Sequence, residues 1–154
     1  MIDRGRLTRI CDALNKRGVI YAVAGGYACS LHGHTRMTED VDILLRNDTA
    51  NLEKAISAIR EIFPAIVDDI SVSDIRDNVV LKVVDDIEVD LSIKAWTVEY
   101  ADAESEILHT VIDGIDIPYL GLDALIQSKG TMREIDQWDI KVLQEIQKRG
   151  KPHR

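Results

Sequence analysis

Apolar positions at Leu7, Ile10, Cys11 and Leu14 recur with helical spacing, Asp3 stands where a capping carboxylate belongs, and Gly18 is placed to end the helix. Val19 to Ala24 is a short run of apolar and β-branched residues, read as a buried strand that stops at the pair Gly25-Gly26. Tyr27 to Leu31 suits a short helix interrupted at Gly33, and Val41 to Leu45 is a second strand. Asn47-Asp48-Thr49 caps a helix carrying Leu52, Ala55, Ile56, Ile59 and Ile62, which Pro64 halts. From Ala65 to Asn78 the pattern is poor, and it predicts a loop with at most one strand.

The second half reads differently. Val79 to Val84 and Ile87 to Ile93 predict a hairpin turning at Asp85-Asp86, and Thr97 opens a predicted helix to Leu108. A further hairpin is expected over His109 to Ile112 and Ile115 to Tyr119, turning at Asp113-Gly114. Leu122 to Ile146 is helical by pattern, in two pieces broken near Gly130-Thr131, so the helical tail covers about residues 121–149. No repeat or composition shift marks a boundary. The outline is one α+β domain over residues 1–154, a mixed sheet flanked by helices with a helical C-terminal segment.

In a strand, residues two apart share a face, so Asp40 and Asp42 project together while Val41 and Ile43 face the core. Paired carboxylates on a rigid strand suit Mg²⁺, a hard cation that takes oxygen ligands and shares them with substrate phosphates. By itself the spacing is weak, because Glu88-Val89-Asp90 repeats it. Just upstream, Gly25 and Gly26 lie between a strand and a helix, where missing side chains let backbone amides approach a phosphate. If the strand holding Asp90 neighbours that of Asp40 and Asp42, its carboxylate completes a site for two ions about 4 Å apart. Asp90 is also a candidate general base. Glu88 is the rival third acid and is read as a solvent-facing strand residue.

Charge and the remaining residues narrow the classes. Lys and Arg number 19 against 27 Asp and Glu, a net charge of -8, which disfavours non-specific binding to a phosphate backbone. Cys11 and Cys29 lack a CxxC or His-rich setting and are expected as buried free thiols in a reducing cytoplasm. No apolar run approaches the ~20 residues of a membrane span. Arg36 either reaches a phosphate or pairs with Glu39 or Asp40. Lys129 is placed to neutralise a triphosphate, whereas Arg133, Asp136 and Asp139 read as an exposed, salt-laced helix. His32 and His34 have no partner set for a metal, and Trp96 and Trp138 read as core or interface packing rather than base-stacking platforms.

Gly25-Gly26, then Arg36-x-Thr38-x-Asp40-Val41-Asp42, then Val89-Asp90-Leu91 resembles the signature of the nucleotidyltransferase superfamily, whose polymerase-beta-like palm also serves antibiotic-modifying enzymes. Leu125-Ile126-x-Ser128-Lys129, Arg133, Asp136 and Asp139 is similar to the C-terminal segment of small bacterial members, including those related to abortive-infection toxins. The resemblance spans about residues 20–145. It implies a nucleoside triphosphate held by Gly25, Gly26, Arg36, Thr38 and Lys129, with Asp40, Asp42 and Asp90 as catalytic carboxylates on two Mg²⁺ ions, or Mn²⁺. Many members carry Ser where this chain has Gly26, so backbone amides must replace a hydroxyl here.

The activity implied is transfer of a nucleoside monophosphate to a hydroxyl, protein or RNA acceptor with release of pyrophosphate. The charge favours a small-molecule or protein acceptor over RNA. A homodimer or a partner protein is a further expectation. The rival is a catalytically silent nucleotide- or partner-binding protein, such as half of a toxin–antitoxin pair, and a weaker one is a metal-dependent phosphohydrolase.

Overall fold

A computed structural model of the chain describes residues 3–64, 70–78 and 80–150. Helix α1 (Arg4–Lys16) is capped by the Asp3 carboxylate, which accepts from the Arg6 amide at 3.2 Å, and its face of Leu7, Ile10, Cys11 and Leu14 is fully buried. Burying each large side chain of that face is worth about 1.5–3 kcal/mol. Strand β1 (Tyr21–Ala24) runs directly into α2 (Gly25–Leu31), so the short helix begins at the glycine pair itself. Strand β2 (Asp40–Leu45) follows, and α3 (Thr49–Ile62) starts at Asp48, whose carboxylate accepts from the Asn51 amide at 2.9 Å.

Two segments differ from the reading of the sequence. Instead of a loop, Val72–Asp77 forms α4, closed by a reciprocal capping box between Ser71 and Asp74. It buries one residue, Ile75, which is why periodicity misses it. Residues 65–69 of the expected loop, and Val79 at the start of the expected hairpin, lie outside the described residues.

The predicted helix from Thr97 to Leu108 is replaced by a two-stranded ribbon and two short turns of helix. The ribbon is β5 (Lys94–Ala95) and β6 (Val98–Glu99), turning through Trp96 at φ 57°; α5 (Tyr100–Ala103) and a 3₁₀ turn (Glu104–Glu106) follow. The capping box of Glu99 with Asp102 sets a helix start after Thr97, and Glu106 then accepts from the Ala124 amide at 2.6 Å, tying the segment to the next helix.

The remaining strands and helices lie near their expected places, although the first hairpin's loop takes in Ile87. Strands β3 (Leu81–Val84) and β4 (Glu88–Ser92) pair antiparallel, as do β7 (Leu108–Ile112) and β8 (Ile115–Tyr119) around Asp113-Gly114. Both turn residues of the second hairpin have positive φ, 51° and 79°, which a type I′ turn needs. Helices α6 (Leu122–Ser128) and α7 (Glu134–Arg149) flank the break at Gly130-Thr131.

The main sheet has the order β3-β4-β2-β1-β8-β7. Its centre mixes directions: β2 runs parallel to β4 and antiparallel to β1, while β1 runs parallel to β8. This is the mixed α+β architecture with a C-terminal helix. Val41, Ile43, Val83, Val89 and Leu91 bury one face of the sheet. Cys11 and Cys29 are free and buried, and burial pushes the Cys29 thiol up to about 11. Among the described residues no helix is long and apolar enough to cross a membrane.

Asn51, 3% exposed, fastens α3 to the sheet: its Oδ1 accepts from the Ile20 amide at 2.7 Å, and its Nδ2 donates to the Ile20 and Arg46 carbonyls at 2.9 Å each. Removing it strands three backbone groups. Asn51→Ala is expected to lower the unfolding free energy by about 2–3 kcal/mol in urea titration; a loss below about 0.5 kcal/mol would show that water replaces the amide.

Candidate active site

The parallel register of β2 and β4 sets Asp40 opposite Glu88 and Asp42 opposite Asp90. Partners in register share a face, as do residues two apart, so all four carboxylates point to the same side of the sheet. Asp40, Glu88 and Asp90 each offer an oxygen within 4.8 Å of the others, a group that can hold a metal ion. Glu88, the rival third acid that the sequence suggests is a solvent-facing strand residue, is therefore part of the cluster, and it stands in the converging group where Asp42 was expected.

One cation was missed. Lys82 pairs in register with Asp90 across β3 and β4, and its Nζ lies 3.0 Å from Glu88, 3.1 Å from Asp90 and 3.4 Å from Asp40. A two-residue turn at Asp85-Asp86 would have set Val84 opposite Ile87 and turned Lys82 to the other face. The loop takes in Ile87 as well, so Val84 pairs with Glu88, and that shift of one residue brings Lys82 to the acids.

Burial and the neighbouring carboxylates raise the pKa values of Asp42 and Asp40. Asp42 is pushed up to about 7, first by burial and then by the charge of Asp90 and the hydrogen bond between them. Asp40 rises to about 6 through burial, a hydrogen bond with Glu88 and the charge of Asp90, with Lys82 opposing. Glu88 is lowered by its hydrogen bonds with Asp40 and Lys82. Partial burial pulls Lys82 down, but its bonds to Glu88 and Asp90 outweigh that and raise it.

Asp90 tests the cluster's fit to a metal. The residue is 9% exposed, and its Oδ1 is buried without accepting a hydrogen bond, although the Lys82 ammonium is 3.1 Å away and donates to Oδ2 at 3.3 Å. An oxygen with unused lone pairs, aimed among other carboxylates, is the donor a hard divalent ion takes. The donor set fits.

The glycine pair abuts these acids. Gly25 has φ 62°, and a Cβ there would overlap the Asp42 carboxylate. A Cβ on Gly26 would lie 2.5 Å from Thr38 Oγ1 and 3.3 Å from an Arg36 guanidinium nitrogen. Serine at position 26 is thus blocked, and the Thr38 hydroxyl stands in the space that residue would fill.

The cations behind the glycines are anchored by α7. Arg36 donates from Nε and Nη2 to the two oxygens of Asp139 at 2.9 and 3.0 Å, pairing with neither Glu39 nor Asp40. His34 Nε2 donates to Asp139 Oδ1 at 2.8 Å, and Lys129 Nζ lies 3.1 Å from Asp139 and 3.4 Å from Asp136. Asp136 also accepts from Thr131 Oγ1. Asp139 is 0% exposed and Asp136 5%, so the expectation of an exposed, salt-laced helix is wrong for both; of that trio only Arg133 is exposed. Burial alone would raise Asp139, but Arg36, Lys129 and His34 hold it below the usual carboxylate range. Trp138 packs its ring edge-on to His34, with centroids 4.7 Å apart.

Two adjoining cavities result. A polar one of about 310 Å³ is lined by Gly26, Arg36, Thr38, Asp40, Asp42, Asp90 and Lys129, among others. A larger one of about 640 Å³, whose walls include Gly25, Val80, Ile93, Ala95 and the half-exposed Trp96, shares Asp42, Lys129, Arg133 and Asp136 with the first. The eight residues to which the resemblance gives roles, Gly25, Gly26, Arg36, Thr38, Asp40, Asp42, Asp90 and Lys129, line one cavity or the other.

Two solved structures share this architecture. An antigenic nucleotidyltransferase-like protein from Paracoccidioides brasiliensis superposes with a TM-score of 0.56 at 16% identity, over 89% of this chain and 73% of that one. A candidate nucleotidyltransferase from Thermotoga maritima gives 0.55 at 19% identity, over 96% and 94%. The fold is nucleotidyltransferase-like. No protein-family model matches the sequence, and no curated protein matches it. The nucleotidyltransferase-like fold thus rests on shape, and the sequence resemblance to abortive-infection and antibiotic-modifying members finds no counterpart in these comparisons.

The raised carboxyls carry a sign. Between about pH 4 and 7 the folded chain holds protons on Asp40 and Asp42 that the unfolded chain releases, so stability from this pair is full at low pH and is lost as pH rises through 6 and 7. In EDTA, Asp42→Asn should be more stable than wild type at pH 8, by on the order of 1–2 kcal/mol, and indistinguishable near pH 4. Thermal unfolding at the two pH values checks this; a variant less stable at pH 8 contradicts it.

Proposed function

We propose that the protein is a divalent-metal-dependent nucleotidyltransferase that moves a nucleoside monophosphate from a nucleoside triphosphate to an acceptor hydroxyl. The observation that carries the reading is the register of β2 and β4, which sets Asp40, Asp42 and Asp90 on one face beside a glycine pair with no room for side chains. In the reaction the acceptor oxygen bonds to the α-phosphorus as the bond to the bridging oxygen breaks. Pyrophosphate leaves, and the acceptor proton passes to a carboxylate of the cluster, with Asp90 as the assigned base.

Asp40, Glu88 and Asp90, whose oxygens converge, would hold Mg²⁺ or Mn²⁺, with Asp42 beside them on the same face as a further ligand; the ion would supply charge neutralisation for the phosphates and the leaving group. The protein groups supply placement. Phosphates enter the polar cavity against Gly25 and Gly26, where the Thr38 hydroxyl serves in place of a serine at 26. Arg36 and Lys129, held by Asp139, and the exposed Arg133 at the mouth offset charge that develops on the leaving pyrophosphate. The nucleoside lies in the larger cavity, where Trp96 offers a ring face.

With a net charge of -8, a small molecule or a protein side chain is the favoured acceptor over RNA. A silent nucleotide-binding protein is the second reading. It is favoured by one feature, the Lys82 ammonium that already neutralises part of the acid cluster.

Calorimetric titration with each nucleoside triphosphate, with and without Mg²⁺, tests the site. Metal-dependent binding should weaken at least about tenfold in Asp40→Asn and Asp42→Asn, and pyrophosphate should be released with label retained on an acceptor. Binding undiminished in both variants would overturn the assignment; metal-dependent binding without turnover on any acceptor would favour the silent reading.

A further inference from the structure

Lys82 occupies a position that the reaction does not use. It projects from β3, the outermost strand of the sheet, and its side chain is 47% exposed, so its stem is free to swing into solvent. Its ammonium nevertheless sits against three carboxylates, those of Asp40, Glu88 and Asp90, at 3.0–3.4 Å. These are the same three groups whose oxygens converge within 4.8 Å as a metal-binding set. A space of that size takes one cation. An ammonium and a divalent ion within it would repel each other strongly at this separation.

We infer that Lys82 is a tethered counter-ion that holds the acid cluster together without metal and must leave it when a divalent ion binds, so that this lysine sets the metal affinity. The inference rests on the metal-binding reading proposed above. Its second support is the Asp90 oxygen that Lys82 approaches without hydrogen-bonding: the lysine neutralises the cluster's charge but leaves the buried Oδ1 unsatisfied. A cation without directional N–H bonds, placed among the same oxygens, satisfies it. The exchange needs no movement of the backbone, because the acids are fixed on β2 and β4 and only a flexible side chain on an edge strand departs.

The test uses the full chain with Mn²⁺ as the probe. Lys82→Met and Lys82→Gln remove the charge with and without a hydrogen-bonding end, and Lys82→Arg keeps it. Mn²⁺ affinity by calorimetry, and melting temperature in EDTA and in Mn²⁺ at pH 7.5, are read for each. The inference expects Lys82→Met and Lys82→Gln to bind Mn²⁺ about tenfold more tightly than wild type, to melt lower in EDTA, and to gain more from the metal. Lys82→Arg should bind no more tightly than wild type. Equal or weaker Mn²⁺ binding in the two neutral variants overturns the role of Lys82 while leaving the metal site standing. Absence of Mn²⁺ binding in wild type and all variants overturns the metal site itself, and the lysine's role with it.

Discussion

The parallel pairing of β2 with β4 is the constraint on which the rest of the site depends. Two strands with acids at alternate positions, in register, concentrate Asp40, Asp42, Glu88 and Asp90 on one face of a sheet whose other face is apolar. Such a concentration of like charge is unfavourable, and its consequences are visible on every side. Burial together with the neighbouring carboxylates raises the pKa values of Asp40 and Asp42, and Lys82 sits against the cluster from the edge strand. Within this concentration Asp40, Glu88 and Asp90 form a group that can hold a cation.

Asp139 is the complement of that cluster. Fully buried on α7, it holds Arg36 in a bidentate fork and also contacts Lys129 and His34. A lone buried carboxylate is costly, but one paired with this many donors stabilises the positions of its partners. The C-terminal helix is thereby fastened to the segment between α2 and β2, and two cations are kept at the rim of the acidic cavity without collapsing onto its carboxylates. Arg36 and Lys129 are thus kept apart from the acids of the sheet, against which Lys82 sits. That separation leaves room for a ligand carrying both charges, such as a metal-bound polyphosphate.

Much of this was readable from the residues. The alternation in Asp40-Val41-Asp42 and Val89-Asp90-Leu91 fixed which side chains share a face, and the glycine pair marked the close approach. Three things were not readable. Periodicity counts apolar residues, so Asp136 and Asp139 on α7 read as exposed although they are buried in one stripe with Leu143. The place of Lys82 turned on one residue of loop length between β3 and β4, a difference that Asp85-Asp86 does not declare. The stretch from Thr97 to Leu108 reads as one helix, but Thr97 follows a left-handed turn at Trp96 and Val98 and Glu99 pair as a strand, so that a helix starts only after the cap at Glu99.

Anomalous diffraction from crystals grown with Mn²⁺ and a non-hydrolysable nucleoside triphosphate tests the central claim most directly. The account predicts a manganese peak coordinated by oxygens of Asp40, Asp42 or Asp90, bridging to the phosphates, with the Lys82 side chain turned away. Manganese bound elsewhere, or a nucleotide seated without metal while Lys82 still holds the acids, would contradict it.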